Sequence, residues 1–235
     1  MLFSTVWILG IEQMFCRRGL EMDYRRVIAR VGAAALIALG VTLPAYAFAA
    51  YRMVPTTCTS GCAKQQTTYW CGPASTHFVL HSQGRNVAQS TLAKELGTTS
   101  GGTAIERIPA VLNKYKKVTL KYVHVPRTSI TGIALVRSII TYAVDRNSCA
   151  VPCVNPYPYT NSAGYYSPGL PTYSGTKAGG HYVVIRGYDI SSTSDYVYYF
   201  DPHYDSTHYG TRRATVSAMA RSILVKDYGS QGIVY

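Results

Sequence analysis

The chain has 235 residues and a formal net charge of +12. Its length, less an N-terminal targeting segment, suits one domain with a core of its own. The charge is spread along the chain with a single short basic cluster, Lys114-Tyr115-Lys116-Lys117, and no nucleic-acid motif, so no nucleic-acid partner is expected. A solvated basic surface is the expectation, with weak attraction to an anionic cell envelope as the alternative.

From Met22 the sequence gives a basic stretch (Arg25, Arg26, Arg30), an apolar run from Val31 to Val41, and Ala45-Tyr46-Ala47, with Ala47-Phe48-Ala49 fitting the small-x-small cleavage rule equally well. Residues 1–47 therefore read as a secretory signal peptide, with Met22 as an alternative start, and a secreted, extracellular protein is expected. The apolar run falls short of the roughly 20 residues of a spanning helix. Residues 48–64 read as a lead-in and residues 65–235 as the working domain. Beyond residue 47 the cysteines are Cys58, Cys62, Cys71, Cys149 and Cys153. Export favours disulfides, and bridges within the two Cys-x-x-x-Cys pairs (58–62 and 149–153) are the simplest of three pairings that sequence leaves open. Cys71 stands alone. The spacings do not suit a zinc site, and no metal or other cofactor is expected.

Residues 71–81 run apolar at helical spacing, with Pro73 suited to a first turn. Residues 88–96 read as a second helix stopped by Gly97, and residues 103–115 as a third, opened by a capping box from Thr103 to Glu106 but weakened by Pro109. Residues 118–125 alternate as a strand does. Residues 130–144 have helical spacing, although their β-branched residues leave a strand open. Residues 150–154 suggest a short strand. Residues 155–180, rich in Pro, Tyr, Gly and Ser, read as a long loop of the kind that usually serves function. Residues 181–189 and 195–202 read as an antiparallel hairpin, 215–226 as a helix and 232–235 as a last strand. Helices first and antiparallel strands after is an α+β order.

Three segments carry chemistry: Gln65 through Ala74 around Cys71, Gly179-Gly180-His181-Tyr182-Val183-Val184, and Phe200-Asp201-Pro202. A thiol at a helix N-terminus is drawn toward the thiolate, and a neighbouring imidazolium draws it further. His181 can supply that imidazolium, and Asp201, ending the next strand, can accept its ring N–H and fix the tautomer. Gln65, six residues before Cys71, can aim a side-chain N–H at an oxyanion, with Gln66 its competitor. Asp189, Asp195 and Asp205 are the alternatives to Asp201, and His77, His81, His124, His203 and His208 are the remaining histidines. His77 and His81 share a helix face but lack the Glu of a metalloprotease motif.

Taken together, Gln-x5-Cys-Gly-x-Ala, Gly-His-Tyr-Val-Val and a strand ending in Asp-Pro resemble the bacteriocin-leader-processing (double-glycine) cysteine peptidases and their secreted relatives, of the papain-like superfamily. The resemblance runs from about residue 60 to the C-terminus. It implies a papain-like fold, an N-terminal helical lobe with its nucleophile helix packed on a C-terminal antiparallel sheet. It also implies Cys71 as nucleophile, His181 as base, Asp201 as orienting residue, Gln65 for the oxyanion hole, and a peptide or protein substrate. Two rivals remain on the same residues: another acyl transfer, either transglutaminase-like or on a peptidoglycan amide, and a non-catalytic secreted binding protein.

Overall fold

The computed structural model describes residues 51–58, 62–191, 195–225 and 231–235, so the expected signal peptide lies outside the described residues. Strand β1 (Tyr51–Met53) falls within the expected lead-in. Helix α1 (Cys71–Ser82) starts at Cys71 and is buried from Cys71 to Leu80. Pro73 stands in its first turn, where a missing N–H loses no helical partner. Helix α2 (Gln89–Leu96) ends on Gly97, whose left-handed backbone (φ 60°) closes the helix.

The N-cap of the turn that follows is Ala104 rather than Thr103, with no side-chain cap hydrogen bond. Thr103 Oγ1 meets Thr98 Oγ1 at 2.8 Å instead. A 3-10 turn (Ile105–Arg107) follows, and helix α3 (Ile108–Tyr115) places Pro109 in its opening turn, where a helix tolerates proline.

Strand β2 (His124–Pro126) is shorter than the expected 118–125. The Asn113 side chain accounts for part of the difference: it donates to the Tyr122 carbonyl at 2.8 Å and accepts the Tyr122 N–H at 2.9 Å. A helix side chain thus satisfies backbone that a neighbouring strand would otherwise have to satisfy.

Helix α4 (Ile133–Asp145) resolves the ambiguous apolar segment, because its buried Val136, Ile139, Ile140, Ala143 and Val144 recur at helical spacing. Strand β3 (Val151–Val154) is buried throughout. The long segment 155–180 is mostly loop but holds a small hairpin, β4 (Tyr159–Thr160) with β5 (Tyr166–Ser167). Next come β6 (His181–Tyr182), β7 (Val184–Ile190), β8 (Asp195–Asp201), β9 (Gly210–Thr215), helix α5 (Val216–Leu224) and β10 (Gly232–Val234).

Two antiparallel sheets run in the orders β1-β7-β8-β9 and β2-β10-β3-β6. Segment 181–190 takes part in both. His181 and Tyr182 pair with Val154 and Cys153, whereas β7 pairs with β8 as the expected hairpin. Ala150 and Ile185 exchange backbone hydrogen bonds of 2.9 and 2.8 Å where the sheets meet. Helix α1 packs on this junction. Phe78 of α1 stacks on Phe200 of β8 at 4.3 Å between ring centroids, a contact worth about 0.5–1.5 kcal/mol beyond the area it buries. The α+β class, and a helix bearing Cys71 at its start packed on an antiparallel sheet, match the expectation. Among the described residues no helix is long and apolar enough to cross a membrane.

Cys58 and Cys62 are bonded to each other. Cys149 and Cys153 are buried and not disulfide-bonded, which corrects the simplest pairing. Cys153 lies within β3 and Cys149 just before it, and four residues of nearly extended chain span about 13 Å, whereas disulfide-linked Cα atoms lie about 4.4–6.8 Å apart.

Candidate active site

Cys71 is the first residue of α1, where the unpaired N–H groups of the opening turn favour negative charge. Gly72 is required beside it. A Cβ there would lie 2.5 Å from Thr103 Oγ1, so only glycine lets the turn before α3 press against the helix start. The Tyr182 hydroxyl holds that turn by donating to the Thr103 carbonyl at 2.7 Å. Gly101 and Gly102 line a cleft of about 390 Å³ together with Tyr157, Tyr173 and Gly179 of the long loop. Cys71 and His181 both line this cleft.

His181 sits at the junction of the two sheets and Asp201 at the end of β8. His181 Nε2 lies 2.8 Å from Asp201 Oδ1, which leaves Nδ1 for the hydrogen bond with Cys71. Asp201 is fully buried and has two further donors: the Tyr173 hydroxyl on Oδ2 at 2.9 Å and the His203 N–H on Oδ1 at 2.9 Å. The electrostatics follow from these contacts. Burial alone would raise the Cys71 thiol, but the His181 hydrogen bond and charge, with the N–H groups of Tyr182 and Gly72, outweigh it and hold the thiol below its ordinary value. Burial would lower His181, but the Asp201 carboxylate overcomes this and pushes it up to about 10. Burial would likewise raise Asp201, and the His181 charge and hydrogen bond, helped by His203 and Tyr173, bring it down. These shifts all favour the same charge pattern, a thiolate, an imidazolium and a carboxylate in series.

Gln65 and Gln66 part company. Gln65 is 4% exposed and lines the cleft with Cys71. Its Nε2 spends one hydrogen on the Thr67 carbonyl at 2.7 Å, leaving the other unassigned, and its backbone N–H donates to the Pro202 carbonyl at 2.7 Å. Gln66 is exposed, and its backbone N–H is held by Gln89 Oε1.

The other acids and histidines have their own places. Asp195 pairs with Arg137, Asp205 with His203 and His208, and Asp189 lies in β7 opposite Tyr51 and Tyr196. His77 is a core residue that donates from Nδ1 to the Val87 carbonyl at 2.7 Å. His81 meets the Thr57 hydroxyl, and His124 donates to the Gln231 carbonyl.

Sequence reasoning missed Tyr173 and His203. Nothing marks Tyr173 among 21 tyrosines. The Asp-Pro-His run does carry a signal for His203, since an Asp side chain commonly accepts the N–H two residues on. Two groups among the described residues hold metal-ligating atoms within 4.8 Å of one another: Cys58, Cys62 and His81, whose sulfurs are bonded to each other, and His203, Asp205 and His208.

Comparison with known proteins now decides the family. The model of the Peptidase_C39-like family matches residues 61–228. The chain belongs to the Peptidase_C39-like family. It is accordingly a cysteine peptidase. No curated protein matches the chain. Among solved structures, this C39-like peptidase is similar to a C39-like peptidase from Bacillus anthracis, at 17% identity and a TM-score of 0.48, covering 79% of this chain and 96% of that one. It is also similar to a double-glycine-motif protease from an AMS/PCAT transporter, solved with a leader peptide, at 14% identity and a TM-score of 0.43, covering 78% and 91%. A third is the peptidase domain of Streptococcus ComA, at 16% identity and a TM-score of 0.42, covering 78% and 94%.

Proposed function

We propose that this C39-like peptidase is secreted and hydrolyses peptide bonds through Cys71, His181 and Asp201, with Gln65 in the oxyanion hole. The observation that carries the reading is the hydrogen-bonded series from thiol to imidazole to buried carboxylate inside the cleft. The Cys71 thiolate attacks the peptide carbonyl carbon. The developing oxyanion is met by the Cys71 N–H, a first-turn donor with no carbonyl inside the helix, and by the remaining Gln65 N–H. The His181 imidazolium gives its proton to the leaving amine. In the second half His181 takes a proton from water, the hydroxide attacks the thioester, and the acid product leaves as the thiolate reforms. Asp201 keeps Nε2 protonated and stabilises the imidazolium. Glycines lining the cleft, Gly101–Gly102 and Gly179–Gly180, let a substrate main chain lie close to the enzyme's own. These steps use groups of the chain and one water molecule, and the substrate is a peptide or protein.

Secretion rests on the basic, apolar and small-x-small succession before residue 48. The Cys58–Cys62 bond agrees with an oxidising compartment.

The test is iodoacetamide labelling across pH with peptide mapping, beside turnover of Cys71→Ala. Cys71 is expected to react with an apparent pKa below that of an ordinary thiol, and Cys71→Ala to lose turnover while keeping its circular dichroism. Turnover near the wild-type rate in Cys71→Ala would sink the assignment.

A further inference from the structure

The turn between β8 and β9 holds a cluster that the peptidase reading does not use. The Asp205 carboxylate lies between two imidazoles, with Oδ2 3.0 Å from His203 Nδ1 and Oδ1 3.0 Å from His208 Nδ1. The two rings stack at 30°, 4.8 Å apart. The Asp205 backbone N–H donates to His203 Nδ1 at 3.2 Å, so this nitrogen presents a lone pair on the side where the carboxylate oxygen also lies. Two ring nitrogens and a carboxylate converge here, their ligand atoms within 4.8 Å of one another, and His203 Nδ1 would exchange the Asp205 N–H for an ion held among them. We propose that His203, Asp205 and His208 bind a first-row divalent ion, Zn²⁺ foremost, at the rim of the cleft.

Two imidazole nitrogens and a carboxylate oxygen suit zinc, whose bonds to such donors are about 2.0–2.2 Å. Donors placed tetrahedrally around an ion with such bonds lie about 3.3–3.6 Å apart, so the two observed separations of 3.0 Å would widen by a few tenths of an ångström. The scaffold is already ordered. The His208 N–H donates to Asp205 Oδ1 at 3.0 Å, and Arg212 Nη2 donates to the carbonyls of Thr207 and Tyr209 at 3.1 Å. The side chains of His203, Asp205 and His208 are 17%, 38% and 18% exposed, open enough for an ion to enter yet partly withdrawn from water. The site is also tied to the peptidase machinery. His203 lines the cleft and its N–H holds Asp201, while the His208 ring lies 4.1 Å from that of Tyr173.

The experiment uses protein carrying Cys71→Ala, which removes a thiolate that would itself take zinc and makes the result independent of turnover. Calorimetric titration with Zn²⁺ is expected to give one ion per chain, and Co²⁺ a d–d spectrum with nitrogen and oxygen ligands. Adding His208→Ala or Asp205→Asn should weaken binding about 10-fold or more and abolish the zinc-dependent rise in Tm, whereas adding His81→Ala should change neither. Circular dichroism reports whether each variant folds, and His208→Gln replaces His208→Ala if that chain does not. No zinc binding to the Cys71→Ala protein, or binding that survives loss of His208 and Asp205, overturns the proposal.

Discussion

The Tyr173 hydroxyl donates to Asp201 Oδ2 at 2.9 Å, so the loop that walls the cleft is hydrogen-bonded to the carboxylate that faces His181. The loop and the Asp201–His181 pair are thus mechanically linked. Tyr173→Phe removes one of three donors to a buried carboxylate, and a hydrogen bond to a charged group is worth about 1.5–3 kcal/mol. We expect kcat/KM to fall about 10-fold if half or more of that reaches the transition state, with a measurable loss of stability in urea. Unchanged kinetics with lowered stability would make the phenol a brace for the fold alone.

Two opposite shifts set the pH dependence of stability. The Cys71 thiol is held below its ordinary value, so from that depressed value up to about 8.5 folding releases a proton and stability rises with pH. His181 is pushed up to about 10, so from about 6.5 to about 10 folding takes up a proton and stability falls with pH. The slopes oppose where they overlap, and above the unfolded thiol's value only the histidine's remains. Denaturant unfolding at successive pH values should show stability declining most steeply from about pH 8.5 to about pH 10, where only the histidine's slope remains.

Gln65→Ala should lower kcat about 10²–10³-fold, the usual loss for one oxyanion donor, with KM little changed. Gln66→Ala, at an exposed side chain, should leave both near wild type. Steady-state kinetics on one peptide substrate separates them, and equal losses would reassign the donor.

Gly72→Ala should cost about 1–3 kcal/mol through overpacking, because the new methyl would meet Thr103 at 2.5–2.7 Å. Thr103→Gly in the same chain should recover part of the loss. Thermal unfolding of the single and double variants measures it, and additive destabilisation would show that Thr103 is not the obstacle.

Non-reducing peptide mapping should return Cys58 bonded to Cys62. Cys149 and Cys153 should resist alkylation until the protein is denatured, because both are buried and burial pushes Cys149 up to about 12.

The groups that line up in the cleft were legible in the sequence where local chemistry flagged them. Pro73 marks a helix start, Gly179-Gly180 precedes His181, and Asp201-Pro202 ends a strand. The choice between Gln65 and Gln66 rested on spacing, and it is burial that separates them. Tyr173 was not legible, since its partner is 28 residues away and its loop has no periodicity. The sequence of β9, GTRRAT, hid a strand because most of its side chains face solvent and show no apolar alternation. The strand expected over 118–125 forms only from His124, in part because the Asn113 side-chain amide takes the backbone groups of Tyr122.

The family match begins at residue 61, yet β1 before it pairs with β7 through Tyr51–Asp189, Arg52–Tyr188 and Met53–Gly187. Arg186 and Val54 extend the pairing, the Val54 N–H donating to the Arg186 carbonyl at 2.7 Å. A chain trimmed to the matched region would bare the backbone donors and acceptors along that side of β7, a ready template for strands of other molecules. Such a preparation would tend to self-associate even with every residue around Cys71 intact. Its turbidity would say nothing about the thiol, and a boundary at or before Tyr51 would prevent it.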